Sequence, residues 1–135
     1  MGLNEREVLK SEKKIPIFQE KKAKDLVVAV IGLGYVGLPF LMEKAKIGLN
    51  VIGFETNQKK LKLLKEGKSY IDGIENQALE KINKTDLVTF SHDFSELKKA
   101  DVIVICVPTP LDDKQMPDLS FVKKSCYSIA LSLRV

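Results

Sequence analysis

The chain contains the stretch Val27-Val28-Ala29-Val30-Ile31-Gly32-Leu33-Gly34-Tyr35-Val36-Gly37-Leu38-Pro39. An apolar run typical of a buried strand leads directly into Gly-x-Gly-x-x-Gly, and a helical pattern follows. In this setting Gly32 allows a tight turn, Gly34 lets a pyrophosphate approach the backbone, and Gly37 lets the helix pack closely on the strand. The start of the helix also offers backbone N–H groups and a partial positive charge to phosphates. The stretch therefore predicts a dinucleotide-binding site.

An acidic residue stands where a ribose-binding group is expected. The first predicted helix runs from about Tyr35 to Ile47, and Gly48 is suited to end it. A second strand, about Val51 to Phe54, follows and leads into Glu55. A carboxylate roughly 20 residues past the glycines, at the end of the second strand, hydrogen-bonds the adenosine ribose hydroxyls of a dinucleotide.

The same carboxylate bears on the choice of cofactor. Glu55 would repel a 2′-phosphate on the ribose, so the sequence favours NAD over NADP. Lys59 and Lys60 lie close by in the sequence and are the one feature that points the other way. NAD is the predicted cofactor.

Predicted strands and helices alternate along the chain from Asp25. The strands are about Leu26–Ile31, Val51–Phe54, Leu87–Phe90 and Asp101–Val107. A later helix is predicted at about Gln58–Glu66, with Asn57 as its N-cap and Gly67 as its stop. A short helix with Leu79 and Ile82 on one face follows, and then a one- or two-turn helix through Lys99. The last helix is capped by Asp118 or Ser120 and runs to about Leu133. This order predicts an α/β fold, a Rossmann-type doubly wound parallel sheet truncated after about four strands. The fourth strand is almost continuously apolar and is expected to be buried on both faces.

Composition and charge argue against several classes of protein. The 135 residues suffice for one domain with its own core. The net charge of +4 does not indicate a nucleic-acid partner, because the lysines of the first 24 residues alternate with glutamates, as on a solvated helix face. No apolar run reaches the roughly 18 residues of a membrane span, and no signal-peptide pattern is present, so a cytoplasmic protein is expected. Residues 1–24 are interpreted as a charged N-terminal extension, and residues 25–135 as the domain.

The cysteines and the single histidine predict neither a catalytic nor a metal site. Cys106 ends an apolar strand and Cys126 lies on a predicted helix, and both are interpreted as small buried hydrophobes. His92 has no visible catalytic partner and is interpreted as a loop residue.

A second candidate element is the loop that leaves the fourth strand, Val107-Pro108-Thr109-Pro110. Doubly wound sheets bind ligands at the carboxyl ends of their strands. The prolines on both sides of Thr109 restrict its backbone and could hold its hydroxyl against a cofactor. A rigid loop that merely ends a strand explains the pattern equally well.

Several motifs together point to a known family. In chain order they are Ile31–Pro39, Val51–Glu55, Ser69-Tyr70-Ile71, Cys106–Leu111 and Pro117–Val122. From about residue 26 to its end, the chain resembles the N-terminal NAD-binding domain of the UDP-glucose/GDP-mannose dehydrogenase family. The amino-acid sequences of the third and later motifs most resemble those of the UDP-N-acetyl-hexosamine 6-dehydrogenase branch.

The resemblance implies an activity and a set of contacts. The family oxidises the C6 alcohol of a nucleotide sugar to a carboxylate, with two hydride transfers to NAD and a covalent thioester intermediate. By resemblance, the glycine loop would hold the pyrophosphate, Glu55 and Lys60 would lie at the adenosine, and the loop after the fourth strand would flank the nicotinamide. The implied cofactor-binding residues are Gly32, Leu33, Gly34, Tyr35, Val36, Gly37, Glu55, Lys60, Val107, Pro108 and Thr109.

The departures from the family pattern lead to further expectations. The family's nucleophilic cysteine lies in a later segment, after a helical dimerisation region, so neither Cys106 nor Cys126 inherits that role. The chain is therefore expected to hold the cofactor half of such an enzyme without its chemistry, with the central helical and C-terminal domains absent. The fourth strand is expected to have an open edge, which invites self-association.

Two other functions remain open on the residues alone. One is a non-catalytic nucleotide-binding or interaction module, which the glycines, Glu55 and the lack of a catalytic cysteine would also suit. The other is a Rossmann dehydrogenase acting on hydroxy acids, against which the motifs after the fourth strand argue.

Overall fold

A parallel four-stranded sheet with helices on both faces forms the centre of the molecule. The computed structural model describes residues 22–133. The strands lie in the order β3-β2-β1-β4, and their bounds are Val27–Ile31 (β1), Asn50–Phe54 (β2), Val88–Ser91 (β3) and Val102–Ile105 (β4). Every pair of neighbouring strands is parallel, and β1 lies between β2 and β4 and pairs with both. This is the order of the first four strands of a Rossmann fold, so the predicted fold class is confirmed.

Residues 22–133 contain four α-helices and two 3-10 helices, which lie before, between and after the strands. The α-helices are Gly37–Lys46 (α1), Gln58–Lys65 (α2), Asn76–Asn83 (α3) and Ser120–Ser132 (α4), and the 3-10 helices are Ala23–Asp25 and Phe94–Lys99. Every strand and helix expected after residue 25 is present, with its ends shifted by a few residues. Residues 1–21, which make up most of the predicted charged extension, lie outside the described part of the chain.

The predicted caps of α1 and α2 are confirmed, whereas α4 has Leu119 at its N-cap position and Ser120 as its first residue, with the Ser120 N–H donating to Asp118 Oδ1 at 2.9 Å. Asn57 Oδ1 accepts hydrogen bonds from the backbone N–H groups of Lys59 and Lys60, both at 3.1 Å, and so caps α2. Gly48 and Gly67 follow α1 and α2 with φ of +89° and +72°. These are left-handed conformations in which glycine carries no steric penalty, which is why both helices stop there.

Alternate residues of β1 pack into two separate hydrophobic cores, one on each face of the sheet. Val28 and Val30 pack with α1, α2 and α3 on one face of the sheet. Ala29 and Ile31 pack on the opposite face, where Leu97 of the second 3-10 helix and Ile129 of α4 complete the cluster. Side chains alternate across a strand, so an apolar strand such as β1 requires cover on both sides. The helices therefore hold β1, and the glycine loop that follows it, in a fixed position.

Strand β4 differs from the prediction. All of its residues are half-buried, whereas a strand buried on both faces was expected. Within the described residues β4 pairs with β1 alone and forms one edge of the sheet. An apolar sequence predicts that a strand is suited to burial, but how far its side chains are buried depends on which strands and helices lie next to it. The predicted open edge of β4 is observed in residues 22–133.

The two cysteines also lie in different surroundings. Cys106 is half-buried beside the glycine loop, whereas Cys126 is exposed on α4. The interpretation of Cys126 as a buried hydrophobe is therefore wrong, because its position on α4 faces away from the sheet. His92 lies in the bend between β3 and the second 3-10 helix, as expected of a loop residue.

Residues 22–133 contain neither a helix suited to a membrane nor a cluster of metal-binding side chains. No helix among them is long and apolar enough to cross a membrane. No group of three or more His, Cys, Asp or Glu side chains in the same range could hold a metal ion.

Candidate functional site

The glycine loop begins at Gly32, where β1 ends between its two neighbours. Gly32 has a φ of +89°, and its N–H donates to the Phe54 carbonyl at the end of β2, at 3.0 Å. On the other side, a Cβ at this position would lie 2.6 Å from the Cys106 carbonyl oxygen, just past β4. A side chain here would both strain the backbone and collide with it, so the turn requires glycine.

Gly37, the first residue of α1, packs against the glycine loop at Gly32. A Cβ at this position would overlap the carbonyl oxygen of Gly32 and lie 3.2 Å from Cys106 Cβ. The helix therefore starts directly on the end of β1. The Leu38 N–H donates to the Gly34 carbonyl at 3.1 Å, which joins the loop to the first turn of α1.

Gly34 has no such internal reason to be glycine. Its φ lies outside the left-handed region, and apart from Gly34 and its two chain neighbours no described residue has an atom within 4 Å of a Cβ built on it. Neither the conformation nor the packing of the chain explains the residue. The space beside it is open, as the approach of a pyrophosphate to the backbone requires. By this criterion the loop fits a dinucleotide.

The start of α1 lacks a side-chain cap. Val36 occupies the N-cap position and makes no capping hydrogen bond through its side chain. Backbone N–H groups at a helix start without such a partner, together with the helix dipole, attract anions. Tyr35 and Val36 are 71% and 69% exposed, so the outer wall of this turn consists of large apolar side chains. This combination suits a ligand that is both charged and partly apolar.

Glu55 lies at the carboxyl end of β2, the strand next to β1. Its Oε1 accepts from the Asn57 N–H at 3.0 Å, and its own N–H donates to the Ser91 carbonyl at 3.1 Å. The residue is half-buried, and its Oε2 has no hydrogen-bond partner among the described residues. One carboxylate oxygen thus fixes the side chain, and the other remains able to accept from a ligand hydroxyl.

Tyr70 joins the loop to these groups, a role that no sequence pattern predicted. Its hydroxyl donates to the Leu33 carbonyl at 2.6 Å, and the Lys60 Nζ lies 5.2 Å from the centroid of its ring. Burial, and to a lesser extent the negative charge of Glu55, raises the pKa of Tyr70 well above its usual value. An aromatic residue in a turn-rich segment gave no signal of this contact, because its partner lies 37 positions earlier in the chain.

The loop after β4 leaves the sheet beside Gly32. A Cβ on Gly32 would lie 3.1 Å from the Val107 N, and Val107 is half-buried, whereas Pro108 and Thr109 are exposed. The loop then closes on itself through an antiparallel bridge between Leu111 and Pro117. The structure therefore brings this loop to the same sheet edge as the glycines, and contact of Val107, Pro108 and Thr109 with a cofactor stays a prediction.

The site lies along one edge of the sheet. The carboxyl ends of β1, β2 and β4 bring together the glycine loop, Glu55 and the segment from Val107. Two surface pockets lie elsewhere, one along α2 and one between α1 and the start of α3. The chemistry and the fold both favour the sheet edge, because parallel sheets bind ligands beyond the carboxyl ends of their strands.

Comparison with known proteins agrees with this geometry. Residues 26–135 match the model of the UDP-glucose/GDP-mannose dehydrogenase family, NAD binding domain. The chain is 37% identical over 111 residues to a UDP-N-acetyl-D-glucosamine 6-dehydrogenase of Pseudomonas aeruginosa, covering 82% of this chain and 25% of that protein. It is 31% identical over 104 residues to a UDP-N-acetyl-D-mannosamine dehydrogenase of Pyrococcus horikoshii, covering 76% of this chain and 25% of that protein.

Solved structures give the same result. A ternary complex of GDP-mannose dehydrogenase from Pseudomonas aeruginosa superimposes with a TM-score of 0.73 at 29% identity, over 78% of this chain and 24% of that one. The UDP-N-acetyl-mannosamine dehydrogenase Cap5O from Staphylococcus aureus does so with a TM-score of 0.73 at 31% identity, over 80% and 26%. The chain thus spans about a quarter of the length of these relatives. A sheet in Rossmann order, a glycine loop with open space beside Gly34 and the family match lead to one conclusion: the chain belongs to the UDP-glucose/GDP-mannose dehydrogenase family, and residues 26–135 are its NAD-binding domain.

Proposed function

We propose that this chain is the NAD-binding part of a nucleotide-sugar 6-dehydrogenase, which oxidises the C6 alcohol of a UDP-sugar to a carboxylate. The observation that carries the cofactor role is Gly34, whose lack of a side chain serves nothing inside the described chain. Relatives named as UDP-N-acetyl-D-glucosamine and UDP-N-acetyl-D-mannosamine dehydrogenases support the choice of substrate class. Two NAD molecules, bound one after the other, would supply the hydride acceptors for the two oxidation steps.

Different residues at this edge of the sheet bind different parts of the cofactor in this proposal. The backbone from Gly32 to Gly37, including Leu33, Tyr35 and Val36, binds the pyrophosphate in this proposal, because the uncapped start of α1 favours negative charge. Glu55 accepts from the adenosine ribose through Oε2, and Lys60, in the first turn of α2, lies on the adenosine side. Val107, Pro108 and Thr109 flank the nicotinamide.

We further propose that residues 22–133 bind NAD without oxidising a sugar. Covalent oxidation to an acid needs an activated thiolate. Burial raises the pKa of Cys106, which keeps it a thiol at neutral pH, and neither cysteine has a hydrogen-bond partner among the described residues that could activate it. The chemistry would then belong to segments of the family that this stretch does not match. A cytoplasmic location stays a prediction.

The first prediction separates ligand binding from folding by two alanine substitutions. Gly34→Ala places a methyl group where the pyrophosphate would lie, so NAD affinity falls about 10- to 100-fold while the free energy of unfolding stays within about 1 kcal/mol of the parent. The matched control is Gly48→Ala, whose φ of +89° makes alanine cost about 1–2 kcal/mol of stability while NAD affinity is unchanged.

Calorimetric titration with NAD and thermal unfolding measure the two effects. Adding UDP-N-acetylglucosamine to the NAD complex of the parent chain yields no NADH. A parent chain that is folded but binds no NAD contradicts the proposal, and so does a Gly34→Ala chain that binds NAD normally. Formation of NADH contradicts the second proposal alone.

The second prediction concerns the choice between NAD and NADP. Glu55→Gln keeps an oxygen for the Asn57 N–H but removes the negative charge that repels a 2′-phosphate. NAD affinity falls by up to about tenfold and NADP affinity rises, because Lys59 and Lys60 remain nearby. Glu43→Gln, exposed on α1 and paired with Lys46, serves as the control and changes neither. An NAD-to-NADP preference that is the same in parent and Glu55→Gln shows that Glu55 does not contact the ribose.

We also propose that a second copy of the chain pairs with the open edge of β4. An edge strand presents unpaired backbone groups, and β4 carries four apolar residues at that edge. Exposed apolar residues on α4, among them Tyr127 and Leu131, add to the surface available for association.

The third prediction tests this pairing by hydrogen exchange as a function of protein concentration. Amides of β4 exchange more slowly as sedimentation equilibrium shows a growing dimer fraction, because the second copy occupies their edge. Amides of β3, the opposite edge of the sheet, serve as the internal control and do not change. A chain that stays monomeric, or a dimer that protects β3 and not β4, contradicts the pairing.

A further inference from the structure

The turn between α2 and α3 holds Tyr70 in a fixed place. The Ser69 N–H donates to Asn76 Oδ1 at 2.8 Å, which ties the turn to the first residue of α3. The Ile71 N–H donates to Ser69 Oγ at 3.1 Å, and the Ile71 side chain is buried in the core beneath α3. Tyr70 lies between these two anchors, half-buried, with its ring packed on the same core. The position of its hydroxyl is therefore set by the fold.

That hydroxyl contacts the peptide group that begins the candidate pyrophosphate site. Tyr70 Oη donates to the carbonyl oxygen of Leu33 at 2.6 Å. The Leu33 side chain is fully buried, so the residue cannot move as a whole. The Leu33–Gly34 peptide is planar and trans, which places the Gly34 N–H on the opposite side from the Leu33 carbonyl. With the oxygen held by Tyr70, the N–H points away from Tyr70.

We propose that Tyr70 is a positioning residue of the NAD site, whose hydroxyl fixes the Leu33–Gly34 peptide with its N–H directed toward the cofactor pyrophosphate. This inference rests on the proposed function, since it assumes that the pyrophosphate lies beside Gly34. Glycine at position 34 makes such a restraint necessary, because glycine allows the peptide to rotate more freely than any other residue. A rotated peptide would turn the partly negative Leu33 oxygen toward the phosphates and repel them.

The groups around Tyr70 maintain its donor role. Its raised pKa, caused first by burial and then by the charge of Glu55, keeps the phenol protonated and able to donate. The Lys60 ammonium lies 5.2 Å from the ring centroid, within range of a cation–π contact that holds the ring. Tyr70 thereby connects the pyrophosphate end of the site to Glu55 and Lys60 at its adenosine end.

The test compares Tyr70→Phe with Tyr127→Phe. Phenylalanine keeps the ring and its contact with Lys60 and removes only the hydroxyl, whereas Tyr127 is exposed on α4 and serves as the matched control. NAD and ADP bind Tyr70→Phe about tenfold more weakly than the parent chain. Adenosine, which has no phosphate, binds parent and variant equally, as measured by NMR titration. Tyr127→Phe binds all three ligands as the parent does.

A second measurement does not depend on the variant. In the parent chain the Gly34 amide resonance shifts when ADP binds and stays in place when adenosine binds, because the phosphates contact that N–H. A merely structural role for Tyr70 would weaken all three ligands alike, and this outcome overturns the inference. Equal NAD affinity of Tyr70→Phe and parent, or an unmoved Gly34 amide in the ADP complex, overturns it while leaving NAD binding intact. A parent chain that binds neither NAD nor ADP overturns the proposed function as well.

Discussion

The close approach of α1 to the end of β1 is the contact on which the rest of the site depends. The Cα of Gly37 lies so near the Gly32 carbonyl that no side chain fits between them. Gly32 in turn lies between the ends of β2 and β4, bonded to the Phe54 carbonyl and close to the Cys106 carbonyl. This packing places the uncapped start of a helix at the edge where three parallel strands end. A helix set back by one side chain would hold its N–H groups farther from any ligand bound there.

The three glycines of the loop answer to different constraints. Gly32 and Gly37 are required by contacts within the chain, and their replacement would disturb the fold. A side chain at Gly34 would enter open space, so the contacts that require glycine at the other two positions are absent here. The motif Gly-x-Gly-x-x-Gly thus combines two positions that the fold requires with one that it does not, and the open position is where we propose that the pyrophosphate binds. The freedom that glycine gives at this position is what the Tyr70 hydroxyl restricts.

Much of this architecture could be predicted from sequence, because it rests on local signals. The apolar run of β1, the cap at Asn57 and the stop at Gly48 each depend on neighbouring residues, and the structure confirms them. The burial of β4 was predicted wrongly, since cover depends on which strand lies beside it and not on its own residues. Cys126 was assigned to the core for a similar reason, because one turn of a helix does not reveal which side faces the sheet.

Within the candidate site the same distinction holds. The glycines and Glu55 follow strands in the sequence, and parallel strands bring their carboxyl ends to one edge, so their proximity could be predicted. The contact from Tyr70 to Leu33 spans 37 positions and joins a turn to a loop, and no periodic pattern predicts such a pair. A side chain that acts on the backbone of a distant loop becomes visible in the structure alone.

A crystal structure of this chain with NAD bound tests the NAD site most directly. We expect the pyrophosphate to lie against the backbone of residues 34–37, within hydrogen-bond distance of the Gly34 N–H, and the adenosine ribose to lie on Glu55 Oε2. In that structure Tyr70 still donates to the Leu33 carbonyl. NAD bound away from the carboxyl edge of the sheet, or a pyrophosphate that faces the Leu33 oxygen in place of the Gly34 N–H, would contradict the proposed NAD site.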